Sequence, residues 1–170
     1  MVKNNFYKNR NHQVFRGQAI VEFAIALPVL LLILFGLFEV GRLIFIYSAI
    51  TNASREAARY GSAVGLEDTG QYHKYLYCDG IKQTAINSAF LLRPADLTIS
   101  ISYDDGPGTS SIGTCTVTGG ESTLPIESGD RVKVTVTAQY RPMVKLVPIK
   151  PRTFTSTSAR TIFGIVELDP

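Results

Sequence analysis

Arg16-Gly17-Gln18-Ala19-Ile20-Val21-Glu22-Phe23 opens an apolar segment that runs to Phe38, and its reading decides the architecture. From Phe23 to Phe38 there are 16 residues without a charge. Counted from Gln18, and tolerating Glu22, the segment reaches 21 residues. That is about enough helix to cross roughly 30 Å of hydrocarbon. A lone carboxylate at the mouth of such a helix is expensive to desolvate, so Glu22 is a candidate functional residue rather than filler.

Apolar character resumes beyond Glu39 and Arg42, with Leu43 to Tyr47, and continues without a helix stop to Gly61. One helix from Gln18 to Tyr60 would be about 64 Å long and must project well beyond a bilayer. Pro28 removes one backbone hydrogen bond, which membrane helices tolerate. Residues 1–17 carry Lys3, Lys8, Arg10 and Arg16 and no acid, whereas the rest of the chain sums to −1. This bias directs the N-terminus to the cytoplasm and the C-terminal part to the outside. The positive excess sits wholly in the leader, and no basic stripe with interleaved aromatics follows, so nucleic acid is not an expected partner. A cleaved secretory signal fits less well, because the apolar core runs on into a second apolar stretch with no small-residue cleavage site at its end.

Gly17 followed five residues later by Glu22, then Phe23 and an apolar helix, resembles the processing signal of type IV pilin-like proteins. The continuation Ala26-Leu27-Pro28, and Ala53-Ser54-Arg55-Glu56-Ala57-Ala58-Arg59-Tyr60-Gly61, resembles the TadE family, minor pseudopilins of the tight-adherence pilus. The resemblance implies cleavage by a prepilin peptidase between Gly17 and Gln18. The mature chain would keep its helix, and Glu22 would pair with the new N-terminal amine of a neighbouring subunit. Mutual neutralisation offsets much of the desolvation of two charges in lipid. Phe23 stands where the major pilins tend to carry tyrosine, which points to a minor component. The implied partners are the membrane, the peptidase and other pilin or pseudopilin subunits. The implied location is single-pass in the inner membrane. A plain membrane-anchored protein with an extracytoplasmic binding domain is the alternative.

The division expected is a leader over 1–17, a transmembrane and stalk helix over 18–61, and an exported domain over 62–170. At the stalk's end Ala53, Ala57 and Tyr60 share a face, and Gly61 is placed to end the helix. Ser54, Arg55 and Arg59 carry the family-like motif. Arg55 and Arg59, one turn apart, read either as a solvated cationic face at the helix C-terminus or as a partner-contact strip.

The exported part reads as α+β, with one helix on an antiparallel sheet of three or four strands. Asp79 is expected to cap a helix reaching about Leu92, with Ile81, Ala85, Ser88, Ala89 and Leu92 inward. Leu97 to Tyr103 alternates as a half-buried strand, and Asp104 to Gly108 is turn chemistry. Thr114–Thr118 is a short candidate strand bearing Cys115, Val132 to Tyr140 is the clearest strand, and Phe154–Phe163 is the last. Pro148 and Pro151 keep the preceding connection irregular.

Cys78 and Cys115 both follow the apolar segment; an even count in an oxidising space suggests one disulfide, the alternative being two buried free thiols. Asp104, Asp105 and Asp130 lack the ligand alternation of a calcium loop and read as exposed turns. His73 among tyrosines reads as surface or packing. No nucleophile–base pair, phosphate loop or zinc spacing is present, so neither enzyme activity, cofactor nor metal is expected.

Overall fold

The computed structural model describes residues 14–90, 92–143 and 150–163. Most of the basic leader, including Lys3, Lys8 and Arg10, and Pro148 lie outside the described residues.

A single helix, α1 (Val14–Gly61), runs without interruption through Pro28. Its 48 residues correspond to a rod about 72 Å long. The two halves of the rod have different surroundings. Every residue from Gln18 to Phe35 is exposed, including Ile20, Phe23, Leu32 and Phe35. Past Glu39 the helix joins the core through Ile46, Ile50, Ala53, Ala57 and Ala58. Hydrocarbon side chains left uncovered over 18 residues have no stable place in water. Among the described residues one helix is long and apolar enough to cross a membrane.

The domain's sheet is antiparallel, in the order β2-β1-β3-β4, with β1 at Leu97–Asp104, β2 at Ser111–Thr114, β3 at Arg131–Tyr140 and β4 at Arg152–Thr161. Val132, Val134, Val136, Ala138 and Tyr140 alternate onto the buried face of β3, as a period of two requires. Residues 46–61 of α1 lie over β3 and β4, while α2 (Cys78–Ser88) packs against α1 and β1. The small side chains of Ala53, Ala57 and Ala58 let α1 approach the sheet closely. The result is the expected long N-terminal helix and α+β domain, but α1 supplies a second helix to the core.

Several local expectations change. Asp79 is not the N-cap of α2: Tyr77 is, and the Asp79 carboxylate accepts a hydrogen bond from the Gly119 N–H at 2.6 Å. α2 ends at Ser88 rather than Leu92, although Ala89 and Leu92 still pack on the core. The short strand is Ser111–Thr114, and Cys115 follows it. A register irregularity between Tyr103 and Asp104 sets the β1–β2 pairing. Gly61 ends α1 without a left-handed cap. A Cβ there would sit 2.9 Å from Ile81 Cδ1 and 3.2 Å from Val132 Cγ2, so the position needs glycine for space.

Candidate functional site

The exposed half of α1 carries the residues singled out at the N-terminus. Gly17, Gln18, Glu22 and Phe23 all lie on exposed regular helix, with Phe23 64% exposed. Gln18 and Glu22 are four residues apart and therefore stacked on one face, about 6 Å apart along the axis. No group closer than 4 Å crowds a Cβ built at Gly17, Gly36 or Gly41, so this rod offers smooth flanks to lipid or to another helix.

Where the apolar run ends, the chain builds a polar clasp that sequence reasoning missed. Glu39 directly follows Phe38 and is fully buried. Its Oε1 accepts a hydrogen bond from the Met143 N–H at 2.6 Å, and its Oε2 lies 3.6 Å from Arg42 Nη1. Arg42 in turn donates from Nη1 to the Arg141 carbonyl at 2.8 Å and rests over the Tyr140 ring, 5.3 Å from its centroid. Burial first, then the neighbouring Glu39 carboxylate, raises the Tyr140 pKa above its ordinary value and holds the phenol neutral. The clasp ties α1 to the segment leaving β3. Its signal in the sequence was an i, i+3 acid–base pair immediately after an uncharged run of hydrocarbon.

Farther along α1, the three motif residues separate into two roles. Ser54 is fully buried, and its Oγ lies 3.1 Å from both Ser156 Oγ and Ser158 Oγ while donating to the Thr51 carbonyl. It is a polar rivet between helix and sheet. Arg55 and Arg59 are exposed, and Arg59 makes a long ion pair to Glu56 at 3.9 Å. Arg55 borders a shallow depression with Ile44, Tyr47, Ser48, Thr51 and Asn52 on the face of α1 turned away from the sheet.

At the start of α2 and just after β2, Cys78 and Cys115 are joined in a disulfide, with Cα atoms 5.6 Å apart. The Tyr103 hydroxyl donates to the Tyr75 carbonyl at 2.6 Å beside this bond, and burial pushes its pKa well up. Asp104 is no exposed turn residue. Arg131 and Lys133 hold it at 2.7 and 3.4 Å, and the Arg131 bond leads in pulling its carboxyl below the ordinary range. Asp130 accepts from the Glu127 N–H, and the His73 ring meets Glu121 at 2.9 Å. Among the described residues no group of three or more metal-ligating side chains is assembled.

Residues 17–59 match the family model of TadE-like proteins. The match spans about a quarter of the chain: the exposed rod, the Glu39–Arg42 clasp and the helix end bearing Ser54, Arg55 and Arg59. No curated protein and no solved structure matches. A TadE-like segment on an apolar N-terminal helix fits a membrane protein associated with the tight-adherence pilus. TadE-like proteins are pilus components and are not known as enzymes.

Proposed function

We propose that the chain is a minor pseudopilin of a tight-adherence pilus, processed between Gly17 and Gln18 and assembled through the exposed half of α1. The observation that carries this reading is the TadE-like match over 17–59, coincident with a helix whose apolar half is exposed among the described residues. A prepilin peptidase would act at the cytoplasmic end, leaving the amine of Gln18 one turn above Glu22 on the same face. Two such helices side by side could then exchange amine and carboxylate, each neutralising the other's charge at the membrane boundary. The domain stands outside the inner membrane, with the N-terminus in the cytoplasm. The Cys78–Cys115 bond supports that orientation, because disulfides persist in oxidising compartments. Arg55 and Arg59, exposed beyond the membrane, would face neighbouring assembly proteins.

The test is the N-terminus of the protein isolated from membranes. A start at Gln18, lost in Gly17→Ala, is expected. An intact leader, or a cut beyond Phe38, would leave a single-pass anchored binding domain as the reading. Glu22→Ala should insert and be processed but fail to assemble; undiminished piliation would remove Glu22 from the mechanism.

A further inference from the structure

The end of the sheet nearest the apolar rod gathers cations. β1 and β4 begin there and β3 ends there, because Leu97 pairs with Ala138 and Arg152 with Tyr140. Arg93 precedes β1, Arg141 follows β3, Lys150 precedes β4 and Arg152 opens it; all four are exposed. Arg42 reaches the same place from α1. Among the described residues Glu39 and Asp96 are the carboxylates at this end, giving five cations against two acids. Asp96 pairs with Arg93 at 2.8 Å and Glu39 with Arg42 at 3.6 Å. Among the described residues the Arg141 side chain bonds the neutral Gln139 side chain, and no described carboxylate is within ion-pairing distance of Arg141, Lys150 or Arg152.

Between α1 and the strand ends lies a groove of about 590 Å³ lined by Arg42, Arg93 and Arg141 together with Phe45, Leu92 and Met143. Phe45 and Met143 are 41% and 69% exposed, so the cationic mouth has an uncovered apolar wall. The opposite end is mixed in charge, since Arg131 and Lys133 pair with Asp104 and Arg160 lies across from Val132. Asp104 and Asp105 lie at the β1 end, Glu127 and Asp130 before β3, and Glu67 and Asp68 in the loop after α1. The depth of the groove follows from the helix. Arg42 is four residues past Phe38, about 6 Å along the axis, which is the thickness of a headgroup layer on one side of the hydrocarbon.

We propose that this groove binds the phosphate of an anionic phospholipid headgroup, its apolar wall receiving the start of an acyl chain. The domain would then stand base-down on the bilayer, cationic end in the headgroups, instead of swivelling on α1. The inference rests on α1 crossing a membrane but not on which side the domain occupies. Basic clusters beside a membrane helix are favoured at anionic surfaces, each cation adding roughly fivefold in affinity.

The full chain can be reconstituted into nanodiscs of phosphatidylcholine and phosphatidylglycerol in equal amounts and the lipids it retains read by native mass spectrometry. Wild type is expected to keep phosphatidylglycerol over phosphatidylcholine. R93Q/R141Q/R152Q, three exposed changes, should cut that preference by about tenfold or more with an unchanged thermal transition. R55Q/R59Q, higher on α1, should keep it. Equal retention of the two lipids by an inserted wild-type chain, or loss of preference in both variants alike, overturns the lipid site while leaving the pseudopilin reading intact. Displacement of the retained lipid by inorganic phosphate, at chloride-matched ionic strength, would assign the groove to a free anion and overturn it as well. A chain that fails to enter nanodiscs removes both readings.

Discussion

The Glu39 carboxylate accepts a hydrogen bond from the backbone N–H of Met143, joining residues 104 positions apart in the sequence. The bond lies where the bare hydrocarbon of α1 gives way to the folded domain, and Arg42 completes it from the same helix. A buried carboxylate is tolerated there because a backbone donor and a guanidinium both meet it. Its place suggests what it does: it fixes the angle at which the rod leaves the domain.

Glu39 should therefore matter more for its acceptor oxygen than for its charge. Glu39→Gln keeps an oxygen for Met143 and should lose about 1 kcal/mol, whereas Glu39→Ala strands both Met143 N–H and Arg42 and should lose about 2–3 kcal/mol. Thermal denaturation of the full chain in detergent checks the order. Equal losses would mean that the Arg42 ion pair, not the Met143 bond, carries the clasp.

Ser54→Ala should destabilise the domain by about 1–2 kcal/mol, since it removes the partner of two half-buried serines on β4 while emptying little volume. Ser54→Ala/Ser156→Ala/Ser158→Ala should recover part of that loss, because no hydroxyl then remains unpaired. The triple variant's melting temperature relative to the single variant decides it, and a further fall would contradict a shared hydrogen-bonded cluster. Processing at Gly17 is expected to be unchanged in both, Ser54 being far up the helix from the leader.

These residues also show what could be read from sequence. The rod was legible because an uncharged run needs no tertiary information to be recognised, and β1 and β3 because Ile101, Tyr103 and the Val132–Tyr140 alternation bury one face each. The dual use of α1 was not. Ile46, Ile50 and Ala53 have the spacing of any helix face, and whether lipid, a neighbouring helix or the chain's own sheet covers it depends on contacts far away in sequence. Asp79 and Asp104 depart from the sequence expectation for the same reason. Short-range patterns make them a cap and a turn residue, but Gly119 and Arg131 claim their oxygens across 40 and 27 residues. In sequence Glu39 reads as an interruption of hydrophobicity, because its partner, a backbone N–H, has no sequence signature.

Asp104 should set part of the acid stability of the domain. Its folded pKa lies below the ordinary value of 3.8, led by the Arg131 hydrogen bond against an opposing effect of burial. A depressed carboxyl contributes stability that is fully present above the ordinary pKa and lost as pH falls through the folded value. Stability should accordingly drop below about pH 4, and Asp104→Asn should lower stability at neutral pH while flattening that acid limb. Urea midpoints measured across the acid range check both effects. Glu67 is also held low, chiefly by Thr69, and its contribution should persist in the variant. An acid limb equally steep in Asp104→Asn would assign the pH dependence elsewhere.

The Cys78–Cys115 bond joins the first residue of α2 to the residue after β2, closing a loop with a sequence separation of 37. Both cysteines are buried beside Tyr103, so the link pins the helix, the edge strand and the long loop after Gly61 to one point. In the chain-entropy view such a loop stabilises by about 4 kcal/mol, by limiting the unfolded chain rather than by adding contacts. Denatured, non-reduced protein should therefore show no titratable thiol. Cys78→Ala/Cys115→Ala should melt more than about 10 °C lower, with the denaturant slope rising as the unfolded state expands. Reduction of the wild type should reproduce the shift, and each single variant should match the double, since either change opens the same loop. Two reactive thiols in the untreated protein would place the stability of this end in Tyr103 and its neighbours instead. They would also withdraw the disulfide's support for an oxidising compartment.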